Sequence, residues 1–132
     1  MKIATLAIIV RDGRVLLGCK KKGEIGAQTL NGPGGKCENG ESPIDCVIRE
    51  TEEEMGIRLN ATQLEHNAVI TFFFAGVPAF EVHVFRTENF DGTPHETDDM
   101  VPQWHAVNAL PIEQMLESDR EWFPKAIRGE KF

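Results

Sequence analysis

Between Gly35 and Ile57 the chain carries seven acidic side chains, Glu38, Glu41, Asp45, Glu50, Glu52, Glu53 and Glu54, against two basic ones, Lys36 and Arg49. Glu50, Glu53 and Glu54 stand at i, i+3 and i+4, which on a helix places three carboxylates on one face. Like charges at that spacing repel one another, and a face built only for solubility would interleave them with lysines. Carboxylates gathered without a basic partner among them suit a hard cation. Magnesium takes oxygen ligands, keeps several waters and favours sites shared between carboxylates and a substrate phosphate. A solvated acidic face is the ordinary alternative for an isolated Glu-Glu-Glu run. Here a glycine-rich turn comes first, where the chain can bend sharply and offer backbone groups at close range, and Arg49 sits beside the cluster.

The elements that must hold these residues are legible in outline. Ser42 suits a helix N-cap, Pro43 the first helical position, Asp45 the positive end of the dipole and Gly56 the C-cap, so a helix is expected from Ser42–Pro43 to Gly56. Ile44, Val47, Ile48, Thr51 and Met55 recur at helical spacing as its core-facing stripe. Residues 29–35 contain three glycines and a proline and cannot be helical. Ahead of them, residues 3–10 read as a buried strand, 11–14 as a hairpin turn centred on Asp12-Gly13, 15–19 as a returning strand and 20–28 as a polar loop. Residues 68–75 and 80–87, rich in phenylalanine and β-branched side chains, read as two further strands, with a short one over 102–107. Short helices are expected over 112–116 and 119–128, the second kinked or interrupted by Pro124. The mixture predicts an α/β domain with a mixed sheet between helical layers.

Composition bounds what such a domain does. A chain of 132 residues fits one domain, residues 1–132, and 41% hydrophobic content is enough for a core. The formal net charge is −7, most of it contributed by the acidic segment. An acidic chain is a poor partner for nucleic-acid polymers or anionic membranes, and no run approaches the length of a membrane span. The amino terminus lacks the cleavage site of a signal peptide. Cys19, Cys37 and Cys46 are an odd number without a CxxC pair, which argues against a disulfide scaffold and a structural zinc site. A reducing cytoplasm is the expected setting, with the thiols acting as small core side chains.

The segment Gly35-x5-Glu41-x7-Arg49-Glu50-Thr51-x-Glu53-Glu54-x-Gly56-Ile57 resembles the Nudix box, G-x5-E-x7-R-E-U-x-E-E-x-G-U, where U is bulky and apolar. Seven identities stand at the required spacing, and Ile57 satisfies the last apolar position. Thr51 departs from the pattern, but on the core stripe and not among the ligands; its hydroxyl is expected to bond back to the Val47 carbonyl. The resemblance implies a Nudix α/β/α sandwich that hydrolyses a nucleoside diphosphate linked to another group. It implies that Glu50, Glu53 and Glu54 hold Mg2+ or Mn2+, with the Gly35 carbonyl as a further ligand. It also implies that Glu41 and Arg49 pair to fix the loop against the helix. An ion pair between a residue before the helix and one within it would clamp the turn in just that way.

Beyond the box, Val15-Leu16-Leu17-Gly18 with Lys20-Lys21, Asn31-Gly32-x-Gly34-Gly35-Lys36, Val82-His83-Val84-Phe85, Gly92-Thr93-Pro94 and Trp122-Phe123-Pro124 are similar to the mammalian branch of that family that hydrolyses oxidised purine nucleoside triphosphates. The likeness implies that Asn31 and Asp119 read a purine edge; an asparagine in a turn also serves simply to form it. In that branch a tryptophan stacks on the base and a pair of aspartates follows, where this chain has Leu116, Ser118 and Asp119. Phe72, Phe74 and Trp122 are candidates to line the base pocket in its place, or are plain core aromatics. Lys20, with Lys21 and Lys22, is a candidate for the phosphates. Asp99, in the loop with Asp98, is a candidate metal ligand or general base, a role it shares with Glu50. The expected reaction converts a nucleoside triphosphate to the monophosphate and pyrophosphate. ADP-ribose, a dinucleoside polyphosphate and a non-catalytic nucleotide-binding module are the alternatives.

Overall fold

Strand β1 (Lys2–Arg11) is apolar on both faces because it runs through the middle of the sheet with a separate core on each side. Leu6, Ile8 and Val10 pack with Val84, Trp122, Phe123 and Ala126 on one face. Ala7 and Ile9 pack with Val47, Met55, Phe85 and Met100 on the other. This computed structural model describes residues 1–21 and 28–132; Lys22 and most of the expected polar loop lie outside them.

Asp12 and Gly13 both adopt positive φ, 53° and 74°, and turn the chain into β2 (Arg14–Lys20). The hairpin pairs only at its closed end, Val10 with Val15 and Arg11 with Arg14. Beyond that point β1 and β2 part, and the glycine-rich segment enters between them. Ala7 N–H donates to the Pro33 carbonyl at 2.7 Å, Thr5 N–H to the Gly35 carbonyl at 2.9 Å and Cys37 N–H to the Ile3 carbonyl at 2.9 Å. A side chain at Gly34 would overlap the Thr5 carbonyl, so glycine there is a requirement of close approach. Just before this segment, Leu30–Asn31 form the short β3, antiparallel to β2, which residue pattern alone did not reveal.

Ser42 Oγ accepts from Asp45 N–H at 3.1 Å to start α1 (Pro43–Met55), and Gly56, at φ 73°, caps its other end. Val47, Thr51 and Met55 of the expected stripe are fully buried, Ile44 and Ile48 partly so. The Thr51 expectation fails: its hydroxyl is buried without a hydrogen-bond partner and makes no bond to the Val47 carbonyl. The two phenylalanine-rich strands are longer than the pattern suggested, β4 (Glu65–Phe74) and β5 (Val77–Thr87), joined through Ala75-Gly76. β5 lies antiparallel to β4 and parallel to β1, and β6 (Met100–Ala106) lies antiparallel to β2. The sheet order is β3-β2-β1-β5-β4, with β6 also on β2.

The C-terminal helices are shorter than expected. Ile112–Gln114 and Glu117–Asp119 are single 3-10 turns, and the helix α2 runs only over Phe123–Ile127. Pro124 stands in the first turn of α2, where the missing N–H costs nothing, so it begins the helix and does not kink one. With α1 on one face and these turns and α2 on the other, the layers form an α/β/α sandwich around a mixed sheet. No helix among the described residues is long and apolar enough to cross a membrane.

Candidate active site

The loop before α1 is clamped by one arginine. Arg49 donates from Nε and Nη2 to the two carboxylate oxygens of Glu41 at 2.8 and 2.9 Å, a bidentate pair. Its Nη2 also reaches the Lys36 carbonyl at 3.2 Å, and its Nη1 donates to Glu50 at 3.0 Å and to Glu53 at 3.3 Å. Glu41 in turn accepts from Glu38 N–H at 3.0 Å. The Arg49 guanidinium, followed by that backbone N–H, holds the Glu41 carboxyl at about 2, well below the usual range. Arg49 thus ties the loop to the helix and touches two of the three clustered carboxylates.

Those carboxylates differ in their surroundings. Glu53 is half exposed, Glu50 mostly covered, and Glu54 buried. Glu54 accepts from Gly34 N–H at 2.7 Å, which points the carboxylate back toward the glycine turn. Burial nevertheless pushes its pKa up to about 7, against the pull of that N–H and of Lys20. Burial also raises Glu50, against the pull of Arg49. The Glu50 carboxylate lies where a side chain on Gly35 would stand, 2.7 Å from that position, so Gly35 makes room for it. The Gly35 carbonyl accepts from Thr5 N–H at 2.9 Å and is approached at 3.5 Å by the Thr5 hydroxyl and the Cys46 thiol. Asp99 lies close enough for its charge to raise Glu54. Thr97 sets its place by donating its hydroxyl to the Glu54 carbonyl at 2.8 Å and accepting from Asp99 N–H at 3.2 Å. Asp98 is exposed.

Beside this cluster lies a cavity of about 340 Å³. Gly34 and Gly35 form one wall, Asn31 and Asp119 another, and Phe72, Leu116 and Trp122 contribute apolar surface. Asn31 donates from Nδ2 to Asp119 at 3.1 Å, while its Oδ1 accepts from Gly32 N–H at 2.9 Å. The asparagine therefore shapes the turn and addresses the cavity together. Asp119 is 1% exposed, and burial pushes its pKa up to about 6. Its Oδ1 and the Trp122 indole N–H are buried without a hydrogen-bond partner in the protein; the indole favours the carboxylate without closing a bond to it. Lys20 also lines the cavity, and its charge is felt by Glu50, Glu54 and Asp119 alike, so it stands between the two ends.

Two expectations need amendment, and three lining residues were missed. Phe74 does not line the cavity: a register shift between Phe72 and Phe73 breaks the strand alternation, and Phe74 ends 73% exposed at the hairpin tip. Lys21 turns away to bind Glu96 at 2.6 Å and the Thr97 carbonyl at 2.7 Å. Leu6, Phe80 and Val82 of β1 and β5 line the cavity although none was expected there, Val82 being noted only as part of a longer stretch. The period-2 pattern of β5, with Phe80 and Val82 on the face of buried Val84, was the available signal.

Comparison with known proteins bears on the family and the fold. Residues 1–126 match the NUDIX domain. The chain is 40% identical over 132 residues to the oxidized purine nucleoside triphosphate hydrolase of Danio rerio, covering 99% of this chain and 83% of that protein. It is 36% identical over 126 residues to the 8-oxo-dGTP diphosphatase of Haemophilus influenzae, covering 86% and 91%. Among solved structures it superposes on the MutT NUDIX hydrolase of Burkholderia pseudomallei with a TM-score of 0.79 and 30% identity, covering 90% of this chain and 92% of that one.

Proposed function

The chain belongs to the NUDIX family of hydrolases, and from that premise we propose that it hydrolyses purine nucleoside triphosphates, oxidised ones among them, to the monophosphate and pyrophosphate. The observation that carries this reading is the junction at Gly34–Gly35: one side of the turn walls the cavity holding Asn31 and Asp119, the other receives Glu54 and Glu50. A nucleotide with its base on Asn31 and Asp119 directs its phosphates past Lys20 toward the carboxylates. The substrates named for the similar Danio rerio and Haemophilus influenzae proteins support the same class.

Glu50, Glu53, Glu54 and Asp99 would hold Mg2+, or Mn2+. Their oxygen donors fit a hard cation, and the buried Glu54, raised to about 7 by burial, gains most from one. A bound divalent cation offsets phosphate charge and lowers the pKa of a water. A carboxylate of this cluster, Glu50 or Asp99, would accept the proton from the attacking water. Arg49 keeps the Glu41 loop and the helix in register during this step. At the base end the Asn31 amide offers a donor and an acceptor, and Asp119 accepts when ionised and donates when protonated. Phe72, Leu116 and Trp122 supply apolar contact in place of a stacked tryptophan.

The test is pyrophosphate release with Mg2+ over a panel of dGTP, 8-oxo-dGTP, dATP, dCTP, dTTP, ADP-ribose and a dinucleoside polyphosphate. Purine triphosphates are expected to lead, and Asn31→Ala is expected to lower their kcat/KM about tenfold while changing pyrimidine rates little, since a lost base contact costs ~1–3 kcal/mol. A panel led by ADP-ribose or a dinucleoside polyphosphate would overturn the substrate reading. An equal loss on every substrate would assign Asn31 to the turn alone.

A further inference from the structure

Eight residues lie between Cys37 and Cys46, and nothing in that spacing forms a motif, yet the fold brings the two thiols together beside Glu41. Their two sulfurs and a Glu41 carboxylate oxygen all lie within 4.8 Å of one another. Cys37 is held there by its backbone N–H on the Ile3 carbonyl, and Cys46 by α1, with its Sγ at 3.4 Å from the Thr5 hydroxyl and 3.5 Å from the Gly35 carbonyl. Cys46 is fully buried; Cys37 is half-buried and opens the cluster to the surface. Hydrolysis as proposed above uses neither thiol.

We propose that Cys37, Cys46 and Glu41 form a second cation site, selective for a thiophilic divalent ion of the zinc class, whose filling opposes the Glu41–Arg49 clamp. The donor set is soft where the Glu50–Glu53–Glu54 set is hard, so the two sites select different ions from one solution. Two sulfurs on a tetrahedral zinc, at about 2.3 Å each, stand about 3.8 Å apart, within the 4.8 Å that bounds the separations of the three ligand atoms. Binding forms two sulfur–metal bonds and a carboxylate–metal bond, releases the two thiol protons to solvent, and changes no oxidation state. The Glu41 oxygens are those that Arg49 holds at 2.8 and 2.9 Å. An ion that takes one of them draws Glu41 away, and Arg49 then settles on Glu50 and Glu53, which it already contacts. Those carboxylates bind Mg2+ less well, and by linkage Mg2+ weakens the thiophilic ion equally. This site stands apart from the proposed substrate, because thiolate ligation is read directly whether or not the chain hydrolyses a triphosphate.

The experiment titrates the reduced full-length protein with Cd2+ and follows the ultraviolet thiolate-to-cadmium charge-transfer band. One Cd2+ per chain is expected in the wild type and in Cys19→Ser, with displacement by Zn2+ and with the band lost in Cys37→Ser and in Cys46→Ser. Should buried Cys46→Ser unfold by circular dichroism, the half-buried Cys37→Ser carries the comparison. Mg2+ titrated calorimetrically into the Cd2+-loaded protein is expected to bind about tenfold more weakly than into the free protein, a change of about 1.4 kcal/mol. A missing band at one equivalent, or a band retained by Cys37→Ser, overturns the site. Unchanged Mg2+ affinity in the loaded protein overturns its opposition to the clamp.

Discussion

Among single residues, Glu53 and Asp119 separate most cleanly what each contributes. Glu53 is half exposed, meets Arg49 at a long 3.3 Å and adds its charge to a face already crowded with carboxylates. Glu53→Gln is therefore expected to leave the melting temperature unchanged or slightly raised. The same change is expected to cut pyrophosphate release at saturating Mg2+ by at least about tenfold, because a ligand charge is lost where negative charge develops on phosphate. Retained turnover would remove Glu53 from the metal site. Asp119 is a stability matter that runs with pH. Its folded pKa stands at about 6, above the ordinary 3.8, so the folded state holds a proton that the unfolded chain releases first. The resulting stabilisation is complete below the ordinary value and is lost as pH rises through about 6. Asp119→Asn, which carries no charge to bury, is thus expected to gain on the wild type by about 2–3 kcal/mol between pH values below 4 and above 7. Urea melts of both proteins across that range check the sign. The same residue scale shows what spacing could convey. Glu50, Glu53, Glu54, Glu41 and Arg49 were legible because helix geometry and motif spacing are local. The orientation of the Gly35 carbonyl was not, since it is decided by Thr5, thirty residues away.

At the scale of the element, α1 carries both the chemistry and one internal conflict. Its N-cap, proline and C-cap were readable because caps act within a turn of the helix end. Thr51 is the conflict: a fully buried hydroxyl without a partner on the face that packs against the sheet. Thr51→Val keeps the shape and removes the unpaired group, and is expected to stabilise the protein by about 1 kcal/mol without changing turnover. A destabilised variant would mean that the hydroxyl is satisfied by water. The loop ahead of α1 depends on its clamp. Glu41→Gln leaves a single weaker hydrogen bond to Arg49 and is expected to cost about 1–2 kcal/mol. Arg58→Ala, which breaks a mostly exposed pair with Glu52, is expected to cost less than about 0.5 kcal/mol. Chemical denaturation of the two variants side by side checks that contrast. The C-terminal elements were read too long because hydrophobic spacing over 119–128 resembles a helix, while Pro124 permits one only from its first turn onward.

Across the whole molecule, charge and binding meet in one expectation. Mg2+ with a purine triphosphate binds the folded state alone and is expected to raise the melting temperature in proportion to RT ln(1 + [L]/Kd), about 2.7 kcal/mol at a hundredfold excess over Kd. No shift at millimolar concentrations of both would contradict a cation site on the acidic face. The sequence by itself determined the two-sided strand β1, the hairpin at Asp12-Gly13, the bounds of α1 and the carboxylates it carries. Each of these follows from side-chain period, turn chemistry or capping within a few residues. Tertiary structure alone decided the rest. It set the β3-β2-β1-β5-β4 order, because backbone pairing between distant strands leaves no local trace. It placed Asn31 on Asp119 across 88 positions and made one cavity of the two. It sent Phe74 outward, because a bulge reverses alternation that composition cannot register. It also brought Cys37 and Cys46 to Glu41, since a loop and a helix packed on one strand can juxtapose side chains that no spacing rule connects.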